Sequence, residues 1–360
     1  MNNKQKKKVH ILGDGQTGLA PRLGVLCQQQ SDKLEVVVHE REFGPLIEKL
    51  VKDYATKMVF FPAEFGGAFP EAREQLLGSI RKDRKDIFAV AFKSTDGYSP
   101  EQQYVAGLNV VKAQSLNLVV AHDNRSLLNM IVAPEETYYH QTKNLDEVLR
   151  NVVEMAYLRS HLTFTRSTVV AGDPVSWNDP LVPASLRAVV DYCVQQGAYK
   201  TFRGATVGHF AVKVDDHTFL TSRRKTNFNE LNAIGLVKVV TDGPDHILAY
   251  GSKPSVGGQS QRIVFQTVPK DDCIVHFHCP KKPGVDIPSV SQREYECGSH
   301  ECGQNTARGL KKYGNLHVVY LDNHGPNIVF HQSIDPKEVT DFIDQHFDLS
   351  KKTGGYVALP

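Results

Sequence analysis

Tryptophan occurs once in the 360 residues, methionine four times and cysteine six times. Six thiols in a chain of this length are too sparse for a disulfide framework, so reduced cysteines are expected. No apolar run reaches the roughly 18–20 residues that a membrane helix requires, which excludes a transmembrane reading. The basic residues 4–8 are followed by only a short apolar stretch, 9–12, and then glycines. That order lacks the long apolar segment of a signal peptide, so a cytoplasmic protein with no membrane partner is expected. An excess of charge of one sign is also lacking. A net charge of +2 gives no electrostatic case for a nucleic-acid partner, and the run 4–8 reads as a solvated tail. What is there is ordinary for a soluble globular chain, with 41% apolar and 23% charged residues. The length asks for about two domains.

Along the first part of the chain, short apolar stretches at 9–12, 34–38, 58–61, 87–92 and 116–121 alternate with helix-like stretches at 46–54, 71–81 and 101–113. Several of the apolar stretches are nearly continuous in Val, Ile and Phe, as strands buried on both faces are. The alternation predicts a Rossmann-like parallel sheet with covering helices, closed by a helix at 145–158. Residues 166–183 are rich in Gly, Pro, Asp, Asn and Ser, hold the lone Trp177 and read as a linker. The reading therefore divides the chain into a domain at 1–165 and a second at 184–360. The second opens with a helix at 185–197. Strands follow at 209–214, 218–221, 237–240, 247–250 and 273–278, with further helices at 263–268, 301–312 and 336–346. This is strand-rich α/β, without internal repeats.

Two places carry chemistry. The stretch 9–12 is followed by Gly13-Asp14-Gly15-Gln16-Thr17-Gly18, a G-x-G-x-x-G pattern between a strand and a possible helix. Glycines there let backbone amides approach a phosphate, and Glu40, just beyond the second strand, stands where a ribose-binding acid is expected. The bland alternative is a tight strand-to-helix turn without a ligand. The second place is Ile274-Val275-His276-Phe277-His278, a strand whose two histidines share a face. His324 follows another apolar stretch, 316–321, in Asn323-His324-Gly325. Three imidazoles with an open position are what catalytic zinc needs, although single histidines in such strands are more often core residues.

The first half resembles the phosphopantothenate–cysteine ligase family, the synthetase half of the pantothenate flavoproteins. The residues that carry it are Phe88-Ala89-Val90-Ala91-Phe92-Lys93, the helix leading to Lys112, and Leu116-Asn117-Leu118-Val119-Val120-Ala121-His122-Asp123-Asn124. The resemblance spans about 8–160 and implies a nucleotide cleft, which adds Asn124 to the Gly13, Gly15, Gly18 and Glu40 of the glycine pattern. The family's Ser-Ser-Gly-Lys-Met-Gly and Lys-Ile-Lys-Lys loops are missing here, so it supports fold more than ligase activity.

Residues 184–346 resemble the class II aldolase/adducin family. The order of Gly208-His209, Phe228-Asn229-Glu230-Leu231, Pro254-Ser255, His276-Phe277-His278, Gly298-Ser299-His300-Glu301 and Asn323-His324-Gly325 carries it. The resemblance implies an α/β/α domain, a homo-oligomer (often a tetramer), and zinc on His276, His278 and His324 that stabilises an enediolate. It also implies an anion site, placed here on Arg223, Arg224, Ser255 and His209. Where the family carries Pro-Ser-Ser-Glu this chain reads Pro254-Ser255-Val256-Gly257, so the general-base position holds Gly257. Glu294, Glu296 and Asp322 are the replacement candidates. Cys279, Cys297 and Cys302 lie in the same region, as buried thiols or as a structural zinc set. The expected function is a zinc-dependent lyase or epimerase acting on a small phosphorylated or carboxylated sugar. The alternatives are a non-catalytic scaffold or ligand sensor, as adducin is non-catalytic, and a nucleotide-dependent ligase linked to coenzyme A synthesis.

Overall fold

The computed structural model describes residues 6–13, 18–39, 44–62, 78, 80, 83–255 and 258–353. The chain forms two compact units, Met1–His161 and Leu162–Pro360. None of the described helices is long and apolar enough to cross a membrane.

The first unit is built on strands β1 (Lys7–Leu12), β2 (Leu34–His39), β3 (Thr56–Phe61), β4 (Phe88–Ser94), β5 (Leu118–His122), β6 (Asn129–Ala133) and β7 (Thr137–Thr142). They form one sheet in the order β2-β1-β3-β4-β5-β6-β7. The first five run parallel and the last two are antiparallel. Strands β4 and β5 are buried along most of their length because helices cover both faces, which is why they read as apolar runs. Four labelled helices belong to this unit: α1 (Leu19–Gln30), α2 (Gly44–Lys52), α3 (Pro100–Gln114) and α4 (Leu145–Arg159). Helix α3 starts where Ser99 and Gln102 form a reciprocal capping box with Pro100 behind it. Helix α4 is capped by Asn144, and Asp146 and Glu147 in its first turn complement the helix dipole. Leu19 and Leu23 of α1 pack with Val148 and Val152 of α4 over Val9, Ile11 and Val90. The fully buried Arg159 and Glu135 pair at 2.6 Å, and Tyr139 donates its hydroxyl to the same carboxylate at 3.0 Å. The expected Rossmann-like sheet is present, and the strand pair β6–β7 is an addition that βα alternation does not foresee. The helix expected at 71–81 lies outside the described residues, apart from 78 and 80.

The second unit holds β8 (Arg166–Val170), β9 (Thr201–Phe202), β10 (Ala205–Thr206), β11 (His209–Lys213), β12 (Thr218–Thr221), β13 (Val237–Thr241), β14 (His246–Tyr250), β15 (Cys273–His276), β16 (Ser289–Val290), β17 (Lys311–Tyr313), β18 (Leu316–Leu321) and β19 (Gly325–Phe330). The main sheet runs β16-β18-β19-β15-β11-β12-β13-β14-β8, with β17 added on β18, while β9 and β10 pair separately. Helices α5 (Ala184–Gln195) and α8 (Pro336–His346) cover one face; α6 (Gly258–Thr267) and α7 (His300–Gly309) cover the other. The two-residue period sorts the side chains. Phe210, Val212 and Val275 enter the core under α5 and α8, while Ala211 and Ile274 enter the core under α6 and α7. The result is the α/β/α domain that the sequence led us to expect.

Three differences from the sequence reading have local causes. Residues 166–183, read as a linker, contain β8, which pairs parallel with β14. Its residues are mostly exposed and polar because it is an edge strand, so it lacks an apolar signal. The helix expected at 301–312 stops at Gly309, where a Cβ would come within 2.5 Å of Val319, and the chain turns into β17. The strand expected at 273–278 stops at His276, leaving His278 beyond the ladder.

Candidate metal centre

Strand β15 ends in the centre of its sheet. His276 is in register with His209 on β11 and with Asn327 on β19. His209 and His276 therefore meet as cross-strand neighbours, with ring centroids 4.9 Å apart. Phe277 turns into the core under α5 and α8, so the next side chain, His278, returns to the side of His276. His324 arrives from the three-residue turn between β18 and β19. The ring centroids of the three histidines stand 5.0, 4.7 and 4.5 Å apart. One nitrogen from each lies within 4.8 Å of the others, and all three side chains are buried. Among the described residues this is the group able to share a metal ion.

Backbone packing holds the triad. Gly325 has φ 145°, and a Cβ there would meet the Phe277 carbonyl oxygen at 2.1 Å. The glycine thus lets the β18–β19 turn close onto the end of β15. Thr353 ties the two arms together. Its N–H donates to the His278 carbonyl at 3.0 Å and its hydroxyl donates to the His324 carbonyl at 2.8 Å. A Thr353→Val substitution keeps the first bond and removes the second. It is expected to weaken metal binding roughly 10-fold, the low end for loss of a supporting partner. Chelator competition measures this, and unchanged affinity would show that the clamp does not position the site.

The electrostatics suit a metal. His276 Nδ1–H donates to the Pro326 carbonyl at 2.8 Å. That bond fixes the tautomer and turns the lone pair of Nε2 inward. Nε2 is buried and has no hydrogen-bond partner. Burial lowers the pKa of His276 to about 4, so the ring is neutral at ordinary pH and ready to act as a ligand. His209 is held well below its usual range by burial and by the neighbouring His276. Its Nδ1 lies 2.8 Å from the Gln261 amide. A cavity between the sheet and helices α6 and α7 is lined by His209, Gln261, His276, His324 and Cys297, among others. No carboxylate belongs to that lining among the described residues.

The residues of the expected anion set lie on adjoining segments: Arg223 bridges to Pro254, and the Ser255 hydroxyl donates to the Gly208 carbonyl at 3.5 Å, next to His209. Arg223 donates Nε to Ser252 at 3.0 Å and Nη1 to the Ile234 carbonyl at 2.7 Å, which ties up its fork in the fold. Arg224 is exposed and Ser255 half-buried. Glu294 and Asp322 are exposed, Glu296 is half-buried, and Gly257 lies outside the described residues. Cys279 is buried and donates to the Ala198 carbonyl at 3.4 Å, while the Cys302 sulfur accepts from Gln292 at 3.2 Å. In the first unit Gly13 closes β1, its N–H donating to the His39 carbonyl at 2.8 Å, and Gly18 precedes α1. Asn124 bonds to Asp96 and to His122. Gly15 and Glu40 lie outside the described residues. The sequence reading missed the pairing of His209 with His276 and the position of Cys297, whose Sγ lies 3.4 Å from His324 Nε2. The first was signalled by His209 opening a strand; the second had no signal, since it depends on a loop path.

Residues 187–283 match the model of the class II aldolase and adducin N-terminal domain family. The match covers the His276-x-His278 pair and stops before His324. No curated protein matches the chain. Among solved structures, a DNA/pantothenate metabolism flavoprotein from Streptococcus pneumoniae is similar at 10% identity with a TM-score of 0.31; the match covers 42% of this chain and 99% of that one. The C-terminal unit resembles the class II aldolase/adducin family.

Proposed function

We propose that this class II aldolase-like unit is a divalent-metal lyase or epimerase for a small phosphorylated or carboxylated sugar. The observation that carries the reading is the buried His276, His278 and His324 triad, with the Nε2 of His276 turned inward and neutral. Imidazole donors in this number suit zinc. A bound divalent ion supplies Lewis-acid polarisation of a carbonyl or hydroxyl group. The protein's own groups do the rest. Val264, Ile274 and Leu321 form the apolar part of the cavity wall. His209 and Gln261 are placed to hydrogen-bond a sugar hydroxyl, and the exposed Arg224 is left to hold the anion. The homo-oligomer, a tetramer by family resemblance, belongs to the same proposal. In the first unit, a nucleotide at the crevice beside Gly13 is proposed on the strand order 2-1-3-4-5, which changes direction next to β1.

One observation favours a second reading. A cavity lining without a described carboxylate lacks the usual proton-transfer group, as a ligand-sensing scaffold would. The two readings separate in deuterated water. Zinc-loaded protein is incubated with a panel of sugar phosphates and sugar acids, and carbon-bound hydrogen is followed by NMR. The lyase or epimerase reading expects exchange or cleavage that stops with chelator and returns with zinc. Ligand binding by the folded, zinc-loaded protein with no exchange in any compound would give the scaffold reading precedence.

A further inference from the structure

Gln261 stands on α6, and its side chain is only 1% exposed. It lines the cavity that also borders His209, His276 and His324. One end of its amide is engaged and the other is not. Nε2 donates to His209 Nδ1 at 2.8 Å, while Oε1 is buried and has no hydrogen-bond partner. A second buried acceptor in the lining, His276 Nε2, is also without a donor. Folded proteins meet such atoms with water or a ligand. On the metal reading the His276 lone pair is taken by the ion, which leaves Gln261 Oε1 as the acceptor for whatever else enters. The space beside it is about 20 Å³, room for one water molecule or one hydroxyl group. The bond to His209 decides which end of the amide is left over. An N–H end would welcome a carbonyl or carboxylate oxygen, whereas an oxygen end needs a group that carries a hydrogen.

We propose that Gln261 is a specificity-determining residue: its Oε1 selects a hydroxyl group at the position beside the triad and rejects a carbonyl or carboxylate oxygen there. The inference rests on the reading given above that this cavity takes the substrate, and it adds which functional group enters. At rest a water molecule holds the position and donates one hydrogen to Oε1. A substrate alcohol replaces that water and keeps the bond. A keto or carboxylate oxygen would set lone pair against lone pair in a buried place, where an unmet acceptor is costly. Sites built to hydrogen-bond a hydroxyl reject the analogue that lacks it far better than apolar pockets reject a change of size. The space admits the hydroxyl and not a carbon chain, so the ligands are polyols and hydroxy acids, with the hydroxyl-bearing carbon at the mouth.

Lactate, pyruvate and propionate provide the test. They share charge and carbon chain and differ at the middle carbon, which bears a hydroxyl, a carbonyl or no oxygen. Binding of each to the zinc-loaded full chain is read by titration calorimetry, up to the limit of solubility. Lactate is expected to bind about 10-fold or more tightly than either of the others, a comparison that needs no variant to fold. Gln261→Leu is expected to lose this preference, and Gln261→Glu, which keeps an acceptor, to retain it. Crystals of the substrate-free chain are expected to show one water within hydrogen-bond distance of Gln261 Oε1. Equal binding of lactate and pyruvate, a lactate preference that survives Gln261→Leu, or no binding of any of the three would overturn the inference and leave the histidine triad standing. A preference for pyruvate would overturn it too, since that result belongs to an amide turned end for end. Folded wild type that takes up no zinc would overturn the metal reading, and this inference with it.

Discussion

Bound metal is expected to fall from about one ion per chain to under about a tenth in His276→Ala/His278→Ala, an effect larger than any supporting residue can produce. The double substitution removes two of the three buried imidazoles that stand within bonding reach of one another. Losing a partner that only orients a ligand costs metal affinity about 10- to 100-fold. Losing two donors from a three-nitrogen site leaves His324 as the remaining histidine, and a loss of more than about 1,000-fold is expected from that comparison. Elemental analysis after dialysis reads the stoichiometry, chelator competition reads the affinity, and circular dichroism shows that the variant is folded. A folded variant that keeps its full complement of metal would place the ion elsewhere.

Gly325→Ala is expected to destabilise the C-terminal unit by about 2–5 kcal/mol, the sum of backbone strain and overpacking. The new Cβ would sit 2.1 Å from the Phe277 carbonyl oxygen, at a φ of 145° that side-chain-bearing residues rarely adopt. Neither contact can relax cheaply. The obstructing atom is backbone between His276 and His278, and moving the glycine moves His324. Metal affinity should therefore fall together with stability. Gly284→Ala is the comparison, since Gly284 has φ 80° with nothing within 4 Å of its Cβ position. There the cost should be only that of a left-handed backbone, about 1–2 kcal/mol. Urea unfolding of the two variants decides the matter, because equal losses would remove the steric account of the turn.

The sequence showed the triad because its signals are short-range. His276 and His278 lie two apart on an apolar strand, and His324 precedes the glycine that its turn requires. The parallel strands of the first unit were legible for a similar reason: burial on both faces writes a continuous apolar run, as in Phe88 to Phe92. What was missed depends on partners distant in the chain. Strand β8 is polar because it is an edge, and its strand character comes from β14. Lys311 and Lys312 continue a helical pattern on paper but pair with Val318 and His317 in β17–β18. Arg223 looks like an anion fork until the fold brings Ser252 and the Ile234 carbonyl to its guanidinium. Cys297 falls beside His324 only because its loop passes the β18–β19 turn, 27 residues later in the chain.

The pairing of β8 with β14 also bears on how the C-terminal unit comes into being. β8 is the first strand of that unit to be made and the outermost in its sheet, and its one neighbour ends at Tyr250. On a ribosome working at about 5–20 residues per second, it waits on the order of 4–16 s for that neighbour. A strand left open for so long would be a hazard if it were apolar. Arg166, Ser167 and Thr168 remain solvent-exposed even in the finished sheet, so the segment bears the delay in water. The histidines of the triad come later still, and under the proposed metal reading an ion could be gathered only once His324 has been synthesised.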